Sequence, residues 1–427
     1  MTGRDVARKV LERVAQQKAW ATLALDAELK VSGLDERERR FASELTYGVL
    51  RHQQRLDDAL ACHADVRRTP PKVVIALRVA AYQLLLLDRV PPYAVVDDAV
   101  TVAKKVGGAK LGGFVNAVLR KVASAGFAPL PTDLADRASA EYSMPRWIVD
   151  EVAAALGDDA AVHLPAAIAG FTAQPTMTLR ANRQRISADD LVAALSSEGV
   201  EASRAALSTD GVVVRSLGDP SKHPRFLAGE FAIQDLGAQR VAEMAAPGAT
   251  DHILDACAGV GGKACHLAEL QGDAGQIDAA DLSGTKLGLL RATAQRLGHR
   301  SIRCIQADLI AGSSLLAASY PLIVLDAPCS GLGVLRRHPD AKWRLTAESV
   351  APLVALQAAL LDALIPRLAP GGALVYSVCS FTNREGPAQI AAVLARHPEL
   401  HLVAEERTWP HRDECDAFYL AKLQRRA

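Results

Sequence analysis

Aromatic residues make up only 4% of this 427-residue chain, and neither sign of charge prevails: 49 Lys and Arg stand against 48 Asp and Glu, a formal net charge of +1. A near-neutral chain does not hold nucleic acid by bulk electrostatics, so any such contact has to come from local patches. Cysteine is scarce as well. Its seven occurrences (Cys62, Cys257, Cys265, Cys304, Cys329, Cys379, Cys415) are odd in number and never fall as Cys-x-x-Cys. That spacing argues against a disulfide framework or a zinc ribbon; reduced thiols in a cytoplasmic protein fit better, and no metal site is expected. The first nine residues lack the apolar core of a signal peptide. The most apolar stretch, residues 73–90, is broken by Arg78 and by Asp88-Arg89 ahead of Pro91-Pro92; it suits a core helix, and no membrane partner is expected. Internal repeats and low-complexity tracts are missing too. What the chain has is length, enough for two or three domains.

Val6, Val10, Leu11 and Val14 fall at helical spacing, and similar stripes recur over residues 56–60, 77–87 and 95–106 with no convincing strand between them. Residues 125–133, Ala-Gly-Phe-Ala-Pro-Leu-Pro-Thr-Asp, are rich in breakers and end this all-helical region. The expected organisation is therefore a helical domain over 1–130, a linker and small α+β subdomain over 131–240, and an α/β domain over 241–427. Within the second, strands are expected at 176–180, 212–214 and 231–234 around a helix at 188–195. Beyond Ile253, strand patterns at 253–257, 276–281, 302–307, 322–326 and 373–377 alternate with helical patterns at 263–269, 287–297 and 352–368. Such alternation builds a doubly wound parallel sheet.

Asp255-Ala-Cys-Ala-Gly-Val-Gly-Gly-Lys263 joins the first strand of that sheet to its first helix. Glycines at 259, 261 and 262 let the backbone turn sharply and approach a ligand closely. Either a nucleotide phosphate or the aminoacyl part of S-adenosylmethionine could sit there. A P-loop, however, needs a hydroxyl after its lysine, where this chain has Ala264, and the Gly-x-Gly-Gly spacing departs from the dinucleotide fingerprint. Asp281 ends the second strand, where a carboxylate can accept from ribose hydroxyls, and Asp308 follows the third, within reach of an adenine amine.

Two thiols stand at the ends of two later strands: Cys329 in Asp326-Ala-Pro-Cys-Ser-Gly331, and Cys379 in Tyr376-Ser-Val-Cys-Ser380. A lone free cysteine is ordinarily an inert buried residue. Two of them at the C-terminal ends of strands in one sheet face the crevice where such sheets bind ligands. The pair resembles the cysteines of RNA (cytosine-5)-methyltransferases, and Arg336-Arg-His-Pro-Asp-Ala-Lys-Trp343 is similar to the ribosomal RNA branch of that family, RsmB/Sun. Tyr47-Gly-Val-Leu-Arg51 and Gly112-Gly-Phe-Val-Asn-Ala-Val-Leu-Arg120 resemble the helical domain shared with the antitermination factor NusB.

This resemblance implies a NusB-like N-terminal domain that binds RNA, a Rossmann-like class I methyltransferase domain, and S-adenosylmethionine held by Cys257, Ala258, Gly259, Val260, Gly261, Gly262, Lys263, Asp281, Asp308 and Asp326. It implies Cys379 as the nucleophile at C6 of cytosine, Cys329 as the thiol that resolves the adduct, and Asp326 as the residue holding the cytosine edge. Gly259-Val260 and Ala264 stand where the family has Ala-Pro and Thr, and Phe381-Thr-Asn-Arg-Glu-Gly386 keeps one acidic position, Glu385, of a Glu/Asn pattern. For RNA, the candidates are Arg336, Arg337, His338, Lys342, Trp343 and Arg180, with Arg344, Arg183, Arg185, Arg120 and Lys121 as extensions: guanidinium groups grip phosphates and an indole stacks on a base. The expected partner is small-subunit ribosomal RNA, methylated at a specific cytosine by a monomer. The competing readings are a cytosine-5 methyltransferase acting on another RNA, and an RNA-binding scaffold with a decayed catalytic domain.

Overall fold

A computed structural model describes residues 1–215 and 217–427. The chain divides into two compact units, one of Met1–Ala173 with Leu335–Leu345, the other of Gln174–Val334 with Thr346–Ala427.

The first unit is helical: α1 (Gly3–Gln17), α2 (Ala21–Ser32), α3 (Glu36–Ala61), α4 (Pro71–Leu86), α5 (Pro92–Ala125), α6 (Leu134–Glu141), α7 (Arg146–Leu156) and α8 (Ala160–Thr172). Local chemistry sets the starts. Thr2 and Asp5 close a reciprocal capping box on α1, Asp35 caps α3 through Glu38 N, and Pro92 opens α5 where a missing amide hydrogen costs nothing. The apolar stripe foreseen at Val6, Val10, Leu11 and Val14 is buried, together with Leu45, Leu56, Leu77 and Val115. α5 kinks at Gly107 and Gly108. The unit extends past the breaker-rich segment because α6 to α8 stay with it: Arg55 N donates to Ser143 Oγ at 2.9 Å, and the Arg55 guanidinium donates to Ala128 O at 3.0 Å.

The second unit holds two sheets. The smaller, in the order β2-β3-β1-β4, is built from β1 (Met177–Ala181), β2 (Glu201–Arg204), β3 (Gly211–Arg215) and β4 (Phe231–Ile233), with α9 (Ala188–Ser197) and α10 (Pro224–Leu227) between them. After α11 (Leu236–Ala245) come β5 (His252–Ala256), α12 (Gly262–Leu270), β6 (Gln276–Asp281), α13 (Gly284–Leu297), β7 (Ile302–Gln306) and β8 (Tyr320–Asp326). The chain then contributes residues 335–345, with short helix α14 (Ala341–Arg344), to the helical unit. It returns for α15 (Ala351–Leu364), β9 (Leu368–Val378), α16 (Pro387–Arg396), β10 (Leu400–Arg407), α17 (Pro410–Asp413) and β11 (Tyr419–Arg425).

The larger sheet runs β10-β11-β9-β8-β5-β6-β7. Its five strands from β9 to β7 are parallel, as the alternation foretold; β11 and β10 are antiparallel additions that the sequence pattern did not reveal. The reason is visible in β10: with only Leu400 buried along its length, it lacks the continuous apolar run of a doubly covered strand. β8, by contrast, buries Leu322 to Leu325 completely or nearly so, each such side chain contributing about 1.5–3 kcal/mol. Pairing of β8 with β9 sets Asp326 opposite Ser377. That register brings the turns after both strands to one edge.

Candidate active site

The loop after β5 turns through left-handed backbone at Cys257 (φ 62°), Gly259 (φ 58°) and Gly261 (φ 91°). A methyl group on Gly261 would lie 2.5 Å from Leu290 Cγ, so only glycine lets α13 pack this close. Ala258 N donates to Ala280 O at 2.9 Å, and the Asp281 carboxylate accepts from Gly259 N at 2.9 Å and Ser283 N at 2.8 Å. Asp281 thus ties the glycine loop to the end of β6. Asp308 is exposed after β7 and orders its own turn, accepting from Ile310 N and Ala311 N. Val260, Leu282 and Ile310 are exposed apolar side chains in these three loops. The Cys257 thiol is pushed up to about 12 by burial and by the Asp281, Asp255 and Asp326 carboxylates, so it stays protonated.

At the ends of β8 and β9 the two thiols meet: Cys329 Sγ lies 3.3 Å from Cys379 Sγ, and both residues are half-buried. The hydrogen bond with Cys379, with burial added, drives the Cys329 thiol well above its ordinary value. Two thiolates at this separation would repel, so the pair does not carry two negative charges at once. Asp326 accepts from Ser377 Oγ at 2.8 Å and forms an ion pair with Lys263, the residue closing the glycine loop. Burial opposes the Lys263 charge, yet the Asp326 carboxylate, with smaller help from Cys379 and Asp255, carries its pKa above the ordinary value. Loop, carboxylate and sulfurs therefore form one connected group at the C-terminal edge of the sheet.

The cation candidates fare differently. Arg180 is fully buried on β1; its guanidinium forms a two-pronged pair with Glu269 at 2.7 and 2.8 Å and donates to Gly262 O at 2.9 Å. The expectation that Arg180 grips RNA is thereby corrected: it braces the helix that follows the glycine loop. Arg183 pairs with Asp210, and Arg185 donates to Leu297 O. Lys342, 2% exposed, donates to Arg51 O at 2.8 Å, and the Trp343 indole donates to Leu50 O at 2.7 Å and packs on the helical core. Burial, with Arg51 nearby, pushes the Lys342 pKa well down. Arg336 is 4% exposed and its carbonyl accepts from Arg51, while Arg344 stacks on Trp20 at 3.5 Å and pairs with Asp340. Arg336 and Lys342 are consequently packing residues of the helical unit, which corrects their expected RNA contacts; Arg337, His338 and Trp343 are half-buried in the same segment. Sequence reasoning passed over Ser330, Ser380 and Gln357, although a serine directly after each cysteine was a readable signal. Among the described residues, no group of three or more His, Cys, Asp or Glu is placed to hold a metal ion.

A Rossmann-like sheet with a glycine loop after its first strand and carboxylates following the next two is the architecture of a nucleotide-cofactor domain, and the family match makes it a class I methyltransferase. Family models agree: one described as 16S rRNA methyltransferase RsmB/F matches residues 242–424, one described as NusB family matches 1–124, and a methyltransferase RsmF/B-like ferredoxin-like domain matches 144–219. The chain is 33% identical to the probable ribosomal RNA small subunit methyltransferase B of Bacillus subtilis, covering 93% of this chain and 89% of that one. It is 34% identical to ribosomal RNA small subunit methyltransferase B of Pseudomonas putida, over 99% and 98% of the two chains. The chain belongs to the RsmB/F family of 16S rRNA methyltransferases. Among solved structures, PH0851 shares the fold over 100% of this chain and 99% of its own, at a TM-score of 0.81 and 21% identity. NSun6 from Pyrococcus horikoshii, solved with SFG, matches 66% of this chain and 98% of its own, at a TM-score of 0.59 and 20% identity.

Proposed function

We propose that this enzyme methylates C5 of a specific cytosine in 16S ribosomal RNA through a covalent bond from Cys379 to C6, using S-adenosylmethionine. The observation that carries the reading is the pair of sulfurs 3.3 Å apart beside Asp326. Cytosine C5 is a weak nucleophile, and a thiolate added at C6 pushes electron density onto it. Asp326 holds the ring edge and favours a protonated N3 as Cys379 attacks. Once C5 is methylated, its proton passes to solvent water, the electron pair of that C–H bond re-forms the C5–C6 double bond, and the C6–S bond breaks so that Cys379 departs as thiolate; Cys329 is the thiol that resolves this adduct.

The glycine cradle fits a methyl donor's aminoacyl end, with Asp281 and Asp308 at the following strand ends for ribose and adenine, and NSun6 was solved with the S-adenosylmethionine analogue SFG. Bound there, S-adenosylmethionine supplies an electrophilic methyl group. Lys263 joins that loop to Asp326 and so keeps the methyl-donor side and the base side in register.

For RNA contact the reading turns to α5, whose exposed Lys104, Lys105, Lys110, Arg120 and Lys121 lie in a stretch without a single acidic residue. The enzyme acts in the cytoplasm, on a base unstacked from its RNA. The test is methyl transfer from labelled S-adenosylmethionine to unmodified 16S RNA, with bisulfite sequencing to locate 5-methylcytosine. One modified cytosine, lost in Cys379→Ala, is expected; methylation that survives Cys379→Ala, or that falls only on other RNAs, would overturn the proposal.

A further inference from the structure

Directly after each reactive cysteine stands a serine, and both serines donate to one carboxylate. Glu385 is fully buried in the loop between β9 and α16. Its Oε1 accepts from Ser330 N at 2.7 Å and Gln357 Nε2 at 3.1 Å, and its Oε2 accepts from Ser330 Oγ at 2.6 Å, Ser380 Oγ at 2.6 Å and Thr382 Oγ1 at 3.1 Å. All five donors are neutral. They saturate the roughly four lone-pair sites of an ionised carboxylate, an arrangement that a neutral side chain of equal size does not reproduce.

The surroundings hold this carboxylate in place. Tyr376 Oη donates to Glu385 O at 2.7 Å, and Gln357 Nε2 also donates to Pro328 O at 2.9 Å, just ahead of Cys329. Gly333 N donates to Cys379 O at 2.9 Å, and a methyl group on Gly333 would lie 1.9 Å from Ala417 O, so the far side of the turn is packed shut. The sheet fixes Asp326 and Ser377 as neighbours, but three and two further residues separate them from the sulfurs. Glu385 spans that gap.

We propose that Glu385 is a positioning residue: by gripping Ser330 and Ser380 it sets the separation of Cys329 and Cys379, and with it the hand-over from adduct formation to adduct resolution. This rests on the two-thiol reading above. In Glu385→Gln an amide N–H replaces an acceptor and faces donors, so the Cys329 turn loosens while Cys379, directly after the end of β9, keeps its place.

Two readouts on the full-length protein separate this role from a merely structural one. Phenylarsine oxide condenses with two adjacent thiols, forming two As–S bonds and releasing one water, and it needs no RNA. Capture of the pair, taken as the part lost in Cys329→Ala, is expected to slow about tenfold in Glu385→Gln and by less in Ser380→Ala, which loses one donor and keeps the fold. With unmodified 16S RNA and S-adenosylmethionine, Glu385→Gln is expected to accumulate denaturation-resistant protein–RNA adduct about tenfold over the parent enzyme, approaching Cys329→Ala. Variants that melt earlier yet capture the arsenical at the parent rate would overturn the proposal, whatever the RNA assay gives. Slowed capture with no adduct in any variant, Cys329→Ala included, would leave the sulfur spacing to Glu385 but sink its part in adduct resolution along with the two-thiol mechanism.

Discussion

Residues 326–334 and residues 335–345 follow one another in the chain and look equally rich in chemistry, the first with a carboxylate and a thiol, the second with cations and an indole. The first stretch keeps Asp326 and Cys329 half-buried past a strand end, where Asp326 meets Ser377 of β9 and Cys329 meets Cys379 directly after it. In the second, Arg336, Asp340 and Lys342 are 4%, 0% and 2% exposed. Lys342 and Trp343 donate to the carbonyls that follow one another at Arg51 and Leu50 of α3. The difference teaches that residue type alone does not mark a binding surface. A parallel sheet forces the turn after each strand to its C-terminal edge, whereas the burial of a cation-rich loop depends on what it packs against, here Leu50 and Arg51 of the helical unit.

The largest way to sharpen this contrast is Cys379→Ala, expected to lower methyl transfer by about ten-thousandfold or more at unchanged thermal stability, read by single-turnover incorporation of label. Trp343→Ala is the opposite kind of change. It should cost ~2–3 kcal/mol in urea unfolding, the loss of a largely packed indole, while leaving RNA affinity in filter binding within twofold. Equal losses of affinity in Trp343→Ala and in a triple Lys104→Ala, Lys105→Ala, Lys110→Ala variant would break the comparison. The triple variant is expected to weaken RNA binding about tenfold and to flatten its salt dependence by about 0.7–0.9 in log–log slope for each phosphate it no longer neutralises.

A smaller effect concerns Asp255, buried on β5 just ahead of the glycine loop. Burial, with Asp326 adding and Lys263 opposing, raises its pKa from 3.8 to about 7. The folded state therefore holds this proton more tightly than the unfolded chain, and stability falls as pH rises from about 4 to 7, then levels once both states are ionised. Asp255→Asn should remove roughly 1 kcal/mol per pH unit of that decline, measured as urea midpoints across the window. A parent and variant with parallel pH profiles would refute the assignment.

Much of this was readable beforehand. Apolar spacing at Val6, Val10, Leu11 and Val14 located a buried helix face, and alternation beyond Ile253 located the five parallel strands. The glycine loop, Asp281 and the two cysteine turns were legible because strand-end chemistry in such sheets is fixed by topology. β10 was not, since a largely solvent-facing edge strand carries no continuous apolar signal, and β11, though Tyr419 to Ala421 and Leu423 are buried, was passed over with it. Arg180 was misjudged for another reason: its partner Glu269 lies far along the chain, and a pairing at that separation leaves no local pattern. The same blindness to distant partners hid three of the five donors around Glu385, those from Ser330 and Gln357.

The central claim is that one particular sulfur bonds to the RNA base while its neighbour releases it. Digestion of the adduct formed by Cys329→Ala with unmodified 16S RNA, followed by mass spectrometry of the nucleotide-bearing peptide, tests it most directly. The account predicts a methylated cytidine attached to the peptide containing Cys379, and no adduct in a Cys329→Ala, Cys379→Ala double variant. An adduct on any other cysteine, or one that persists in the double variant, would contradict it.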